Sequence, residues 1–253
     1  MRHKKLQKLV IICEIVAVLG LGYIFRHTIR VWYLELQKLT LPPEVGPYVT
    51  PGPVNAINLA VPFSPQAPGG DWSEPYENAC EETSAFLVHA FYAKIDVTPA
   101  SADQAIQGAV VWENKTFGYY QDTTVLQTAR MLREHFGYHR VDVVYDIVLN
   151  DIKKQLQLGH PVIVPLAGRH VGNPYYRQPG PIYHMLVIKG ITADNQFITN
   201  DVGTRHGENY IYDQHTLYNA IHDLPHGGAV IAAPDPDAYL LTGRKAMIVV
   251  YPN

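Results

Sequence analysis

Residues 61–91 of this chain, VPFSPQAPGGDWSEPYENACEETSAFLVHAF, pass from a loop into a helix at a cysteine. The loop part, GGDWSEPYEN, is rich in Gly, Pro and Asn and cannot itself be helical. From Ala79 onward the apolar residues fall at helical spacing, so a helix is predicted to begin beside Cys80. The free N–H groups and the dipole of a first helical turn favour an anion, and a thiol placed there loses its proton readily.

Cys80 is one of only two cysteines in the chain. A lone cysteine is usually a small buried hydrophobic residue, unless other parts of the chain supply what a nucleophile needs. Gln66, fourteen residues earlier in a short Pro-flanked turn, offers an uncharged amide donor. A donor and an activated thiol that enter one site are the beginning of an acyl-transfer constellation.

Two later stretches supply a base and a carboxylate. PIYHMLVIKGI, at 181–191, is a β-branched apolar run with His184 near its start. QFITNDVGTRHGENY, at 196–210, places Asp201 at the end of a predicted strand. A histidine base and a carboxylate that orients it complete a Cys–His–Asp set.

These stretches resemble the papain-like cysteine peptidases of the branch related to bacteriocin-leader (double-glycine) processing peptidases, the C39-like domain. The matching segments are VPF..Q.P.GDW...Y..ACEE.S, YHMLVIKGI and ITNDVGTRHGENY, and with the helices between them they cover about 54–251. The resemblance implies a nucleophile at Cys80, a base at His184, an orienting carboxylate at Asp201 and an oxyanion-hole amide at Gln66. It implies a bacterial hydrolase that needs no cofactor.

The chain departs from the better-known branch directly after the cysteine. That branch has Cys-Gly-Pro or a similar turn of small residues, whereas Glu81 and Glu82 follow here. Carboxylates suit a helix N-terminus, but they also raise the cost of a neighbouring thiolate. Only one of Asn200 and Asp201 can face His184, because successive strand residues point to opposite faces. The resemblance selects Asp201.

The order of predicted elements is that of an α+β fold. Helices are predicted from 98–101 to about Glu113, from a cap at Asp122 to a stop at Gly137, and over about 151–158. Strands then dominate, and helices followed by strands are typical of α+β folds. This matches a papain-like division, with the thiol on the helical half and His184 and Asp201 on an antiparallel β half. The predicted strands are NAINLAVPF, PVIVPL, HMLVIKGI, QFITND, NYIYD and KAMIVVY.

The N-terminus favours a membrane anchor. Residues 1–8 are basic, and 9–25 are nearly all apolar, broken by Glu14. Seventeen helical residues span about 25 Å, slightly less than the bilayer core. The basic flank fits a single-pass signal anchor with the C-terminal domain outside the cytoplasm. A cleaved signal peptide, which would make the protein secreted, and a buried helix remain alternatives, although no typical cleavage site follows the apolar run.

We therefore divide the chain into 1–27, a basic start and transmembrane anchor; 28–53, an amphipathic stretch and Pro-rich spacer; and 54–253, the peptidase domain. Trp and Tyr at 28–39 are typical of a membrane interface, although a helix packed on the domain is an equal alternative. The sequence LPPEVGPYVTPGPV predicts an irregular, stiff spacer.

Composition excludes other classes of function. Residues 1–30 carry a charge of +5 and the rest carry −8, within a net charge of −3. An acidic body argues against a nucleic-acid partner. His215, His222, His226 and Asp223 match no standard metal signature, so we predict no metal site.

The predicted partner is a peptide or protein substrate. The loop AGRHVGNPYYRQPGP, at 167–181, enters directly upstream of His184 and is interpreted as a wall of the substrate groove, with a purely structural loop as the alternative.

An amidase or acyltransferase acting on cell-wall peptides would use the same residues. A catalytically inactive papain-like domain that serves as a surface binding module is the alternative from another class. The oligomeric state is not predicted. The candidate substrate-binding residues are Trp72, Tyr175, Tyr176 and Tyr183.

Overall fold

The computed structural model describes residues 25–47, 56–225 and 233–253. The chain divides into two compact units, Met1–Thr40 and Leu41–Asn253. In the first unit, helix α1 covers residues 25–38. No helix within the described ranges is both long and apolar enough to cross a membrane. The predicted anchor, 9–25, lies outside those ranges except for its last residue. Large apolar side chains of α1 are exposed, namely Phe25, Ile29, Trp32, Tyr33 and Leu36.

The second unit contains a mixed, mainly antiparallel sheet. Its strands are β1 (Glu44–Val45), β2 (Ile57–Leu59), β3 (Val141–Tyr145), β4 (Val162–Ala167), β5 (Tyr183–Ile191), β6 (Phe197–Asn200), β7 (Tyr210–Tyr212) and β8 (Ala246–Val250). Their order is β1-β2-β5-β4-β8-β3, while β6 pairs with β5 and β7 pairs with β6. All nine residues of β5 are buried, so this strand lies at the centre of the core.

Six helices accompany the sheet in the described part of this unit. They are α2 (Cys80–Ala93), α3 (Pro99–Phe117), α4 (Val125–Glu134), α5 (Leu149–Gln157), α6 (Gln214–Ala220) and α7 (Pro236–Leu240). Helix α2 is buried along nearly its whole length and packs on β5 and α3. The predicted α+β class is therefore confirmed, with the cysteine at the start of a helix and the histidine on the sheet.

Local details differ from the predictions. Helix α4 is capped by Thr124, whose side chain accepts the N–H of Gln127, and not by Asp122. Asp122 lies in the preceding loop with φ 51°. Helix α3 continues beyond Glu113 to Gly118, where the left-handed backbone ends it. Strand β3 and helices α6 and α7 were not predicted, because each is too short to show a distinct period.

The predicted spacer contributes an edge strand to the sheet. Residues Glu44–Val45 form β1, which pairs in parallel with β2. The Lys189 side chain on β5 is 1% exposed, and its ammonium group contacts the Glu44 carboxylate and donates to Asn209. A buried ammonium group needs such partners, because desolvation of an unpaired charge is very unfavourable. This ion pair explains why a Pro-rich segment is held against the sheet.

Two carboxyl groups face each other between α2 and α3. Glu82 and Glu113 are both fully buried, and neither has a basic partner among the residues described. Burial raises the pKa of Glu113 to about 8, and burial together with Glu113 raises the pKa of Glu82. Two desolvated carboxylates this close cannot both be charged, so the pair holds at least one proton at neutral pH.

The shared proton predicts a pH-dependent stability. A folded-state pKa above the unfolded value means that the folded state binds more protons, so stability falls as pH rises from about 4.5 toward 8. Glu113→Gln keeps a polar side chain of the same size beside Glu82 and removes one of the two titrating groups. We expect this variant to be more stable than the wild type at pH 8, by about 1 kcal/mol or more, and less so at pH 5. Chemical denaturation at both pH values measures this, with the exposed Glu134→Gln as control. Parallel pH dependences of variant and wild type would contradict the shared proton.

Candidate active site

Cys80 is the first residue of α2. A short 3-10 turn, Tyr76–Asn78, leads into Ala79 and then into the helix. The cysteine is 5% exposed and lines a cleft of about 550 Å³. Its backbone N–H belongs to the first turn, whose N–H groups have no acceptor within the helix. The position agrees with the prediction from sequence.

Two groups contact the sulfur of Cys80. The N–H of Met185 donates to Sγ at 3.4 Å, and Sγ is hydrogen-bonded to Oε2 of Glu81 at 3.0 Å. Burial raises the pKa of the Cys80 thiol above its ordinary value, an ionised Glu81 adds to the rise, and the N–H of Met185 opposes it. The first-turn position alone predicts a lowered pKa for Cys80, whereas the structure raises it. The two differ because the sequence does not reveal how completely the sulfur is desolvated.

The N–H of Met185 is available because of the strand pairing around it. On one side, β5 pairs with β4, with Met185 opposite Pro165. On the other side, β6 begins to pair only at Val187, opposite Asn200. The edge of β5 near Met185 is therefore not covered by β6, and the start of α2 occupies that place. This arrangement puts Cys80 beside the residue that follows His184.

His184 is 2% exposed and contacts Asp201. Its Nε2 lies 2.9 Å from Oδ1 of Asp201, the residue directly after β6. The neighbouring Asn200 points elsewhere, since its amide donates to the carbonyls of Val61 and Pro62 at 2.9 Å each. Asp201, rather than Asn200, therefore faces His184.

Asp201 is fully buried and yet accepts five hydrogen bonds. Burial alone would raise its pKa, but the charge of His184 and the hydrogen bonds from His184, Tyr212 and Tyr176 outweigh burial and lower it. The carboxylate is thus held ionised, and its hydrogen bond to Nε2 fixes the orientation of the imidazole. The donors are His184 Nε2, the Gly203 N–H at 3.1 Å, Asn173 Nδ2 at 2.9 Å, and the Tyr176 and Tyr212 hydroxyls at 2.7 and 2.6 Å.

Asn173 and Tyr212 were missed as site residues. Tyr212 lies on β7, in the predicted strand NYIYD, and Asn173 lies in the loop before β5. The Asn173 amide also donates to the Tyr212 hydroxyl at 2.9 Å, which links the two. No local pattern indicates these contacts, because they depend on β7 lying beside β6 and on the path of a long loop.

Gln66 lines the same cleft, but its amide group is turned away from the predicted role. Both hydrogens of Nε2 are directed to backbone carbonyls, those of Tyr76 at 2.8 Å and Glu77 at 2.9 Å. The Oε1 atom is buried without a hydrogen-bond partner among the described residues. In this arrangement Gln66 holds the loop before Cys80 and has no free N–H to offer an oxyanion.

The four predicted substrate-binding residues divide into two pairs. Trp72 lines the cleft, and Tyr175 lines an adjoining pocket of about 290 Å³, where its ring stacks on His206. The hydroxyl of Tyr176 donates to Asp201, and that of Tyr183 donates to the Thr123 carbonyl at 3.1 Å. Both of these hydroxyls have structural partners, but Tyr176 and Tyr183 also line the cleft together with Trp72.

A metal site was considered in the sequence at His215, His222, His226 and Asp223. The described residues contain no cluster of three or more His, Cys, Asp or Glu side chains that could hold a metal ion. Asp223 accepts the N–H of Val125 at the start of α4, and His222 Nδ1 contacts the Gly243 carbonyl. His226 lies outside the described residues.

Comparison with known proteins gives a family match over most of the domain. The sequence of residues 58–224 matches the Peptidase_C39 like family. Among solved structures, the chain is similar to a Bacillus anthracis protein described as a C39-like peptidase, with a TM-score of 0.43 and 12% identity over 77% of this chain and 96% of that one. It is also similar to a prointerpain A fragment from Prevotella intermedia, with a TM-score of 0.37 and 15% identity over 60% of this chain and 43% of that one. No curated protein sequence matches the chain.

Because Gly203 has no side chain, the imidazole of His184 can lie against its backbone, and this gives a test of the site. A Cβ at Gly203 would lie 2.9 Å from Cε1 of His184, so Gly203→Ala must displace the imidazole. We expect hydrolysis of a peptide substrate to fall about tenfold or more, since small displacements of reacting groups are costly. Gly69→Ala is the control, because nothing lies within 4 Å of its added Cβ. Equal rates in both variants would exclude a role for His184 at this position.

Proposed function

Because this chain belongs to the Peptidase_C39 like family and is a cysteine-type peptidase, we propose that it hydrolyses peptide bonds with Cys80 as nucleophile. In this proposal His184 is the base and Asp201 orients it. The observation that carries the proposal is that Cys80 and His184 line one cleft, while Nε2 of His184 is bound to Asp201. That bond leaves Nδ1 as the nitrogen available to the thiol and the substrate.

The resting arrangement is not yet the reactive one. Between the described side chains of Cys80 and His184 there is no hydrogen bond. The sulfur is instead hydrogen-bonded to the Glu81 carboxyl group and to the backbone N–H of Met185. In this proposal Sγ and Nδ1 of His184 come within hydrogen-bond distance while Sγ keeps its contacts with Glu81 and the N–H of Met185. The thiol proton then passes to Nδ1 of His184, and Asp201 stabilises the resulting imidazolium.

The reaction then follows acyl transfer. The sulfur attacks the carbonyl carbon of the substrate, a C–S bond forms, and the carbonyl electrons move to the oxygen. When this oxyanion collapses, the C–N bond breaks and His184 gives its proton to the leaving amine. Water next attacks the acyl-enzyme and gives a proton to His184. The C–S bond breaks, the carboxylic acid leaves, and the thiolate is restored.

The developing oxyanion needs donors within the cleft. The backbone N–H of Cys80 is one candidate, because first-turn N–H groups and the helix dipole favour negative charge. We keep Gln66 as the second donor, although its amide must first give up one of its two carbonyl acceptors. Substrate binding that displaces the loop of Tyr76 and Glu77 would release it.

Asp201→Asn tests the orienting role. Asn would keep one acceptor atom but place an NH₂ group against the donors that surround Asp201. We therefore expect Asp201→Asn to lower kcat/KM nearly as much as Asp201→Ala, by about tenfold to a thousandfold, and Cys80→Ala to abolish hydrolysis. The exposed Asp194→Asn serves as control. An Asp201→Asn enzyme with the wild-type rate would refute the role of the carboxylate.

The cellular location follows from the N-terminal sequence. We propose that residues 9–25 anchor the protein in the cytoplasmic membrane, with the peptidase domain outside. The basic start of the chain and the exposed apolar side chains of α1 support this orientation.

Protease added to intact spheroplasts that express the protein tests the anchor. We expect the protease to degrade the domain beyond residue 54 or release it from the membrane. A cytoplasmic protein of the same cells is the control for integrity. Full protection of the domain, or a mature N-terminus near Tyr23, would refute the anchor.

The substrate is proposed only as a peptide or protein. An amidase or acyltransferase would use the same cleft and the same three residues, so assays on casein, peptidoglycan fragments and acyl donors distinguish these activities. A surface binding module without activity would instead show no turnover with any of them.

A further inference from the structure

A buried carboxyl group lies directly against the sulfur of Cys80. Glu81 is the next residue in α2, and none of its surface is exposed. Its Oε2 is 3.0 Å from Sγ, and its Oε1 accepts the N–H of Thr123 at 3.0 Å. Both oxygens are therefore fixed, one on the sulfur and one on the loop that precedes α4.

These two contacts determine where the proton lies when Glu81 is neutral. A backbone N–H can only donate, so the oxygen that faces Thr123 must accept and acts as the carbonyl oxygen. The proton of a neutral Glu81 is then on Oε2, directed at Sγ. A sulfur in that position would accept hydrogen bonds from both Glu81 and the N–H of Met185.

The surroundings of Glu81 favour its neutral form. The titratable groups that face it are other acids: Glu82 on α2, Glu113 on α3, Asp122 in the loop before α4, and Tyr183 on β5. No basic side chain forms an ion pair with Glu81 among the described residues. His184 on β5 lines the same cleft as Cys80. Burial raises the pKa of Glu81, and Glu82 and Asp122 raise it further.

We propose that Glu81 is a further catalytic residue, which as a neutral carboxylic acid donates a hydrogen bond from Oε2 to the Cys80 sulfur and stabilises the thiolate. This rests on the proposed role of Cys80 as the nucleophile. It reverses the effect expected of an acid beside the cysteine. An ionised Glu81 repels a thiolate, whereas a neutral one lowers the free energy of forming it.

The proposal predicts a characteristic pH profile. Reactivity of Cys80 rises with pH as the thiolate forms, and changes in a second step in alkali when Glu81 loses its proton, because the sulfur remains a thiolate but loses the hydrogen bond from Oε2. In Glu81→Gln, the amide oxygen can accept from Thr123 and the NH₂ can donate to Sγ, but nothing titrates. In Glu81→Met the donor is lost at similar side-chain length. Glu82→Gln is the matched control, since Glu82 is equally buried on α2 but does not contact the sulfur.

The rate of Cys80 alkylation by iodoacetamide between pH 5 and pH 10 provides the measurement. Peptide-resolved mass spectrometry of the full chain separates Cys80 from Cys13. At pH 7 we expect Glu81→Met to react at least about tenfold more slowly than the wild type, which corresponds to about one pKa unit. Glu81→Gln should stay within about threefold of the wild type at pH 7 and lack the second, alkaline step. Glu82→Gln should keep that step, at a lower pH, because Glu82 no longer raises the pKa of Glu81.

Acceleration of at least about tenfold in Glu81→Gln at pH 7 would show that Glu81 is ionised and only accepts from the thiol, which overturns the proposal. Unchanged profiles in both Glu81 variants would also overturn it. If Glu81→Met fails to fold, as judged by circular dichroism, the profile of Glu81→Gln decides alone. A Cys80→Ala enzyme that still hydrolysed peptides would instead refute the proposed function itself.

Discussion

The point at which β6 leaves β5 determines the geometry of the whole site. Pairing between these strands stops at Val187 and Asn200. Past this last pair, the N–H of Met185 donates to the sulfur of Cys80 and not to a strand. Asp201, the residue after β6, is not paired with β5 and contacts His184 through its side chain. One break in backbone pairing therefore brings together a helix start, a strand and a loop. A longer β6 would place another backbone where the sulfur lies.

The site contains buried carboxyl groups of two kinds. Asp201 has five donors around it, so its charge is compensated although no solvent reaches it. Glu81, Glu82 and Glu113 have no basic partner in the described part of the chain, and burial raises their pKa values. In a medium of low polarity, hydrogen-bond donors determine which acids ionise. Carboxyl side chains thus differ by their surroundings: the pKa of Asp201 is lowered beside His184, and the pKa values of the three glutamates around α2 are raised.

Some features of the fold were predictable because they depend on short-range periodicity. The helix that begins at Cys80 and the strand that carries His184 appear where the apolar spacing placed them. The cap at Thr124 was misassigned to Asp122, because both residue types cap helices and only the backbone geometry separates them. The edge strand at Glu44 was missed, since it is only two residues long and lies in a Pro-rich segment.

By itself, the sequence determined the α+β class, the family resemblance and the identity of the residues that come together, because these depend on residue type and local spacing. Only the tertiary structure decided what those residues contact. It turned the amide of Gln66 toward two carbonyls, surrounded Asp201 with donors from three separate segments, and placed Glu81 against the sulfur of Cys80. Burial and hydrogen-bond direction are properties of packing between distant segments, and they set the protonation states on which the chemistry of the site depends.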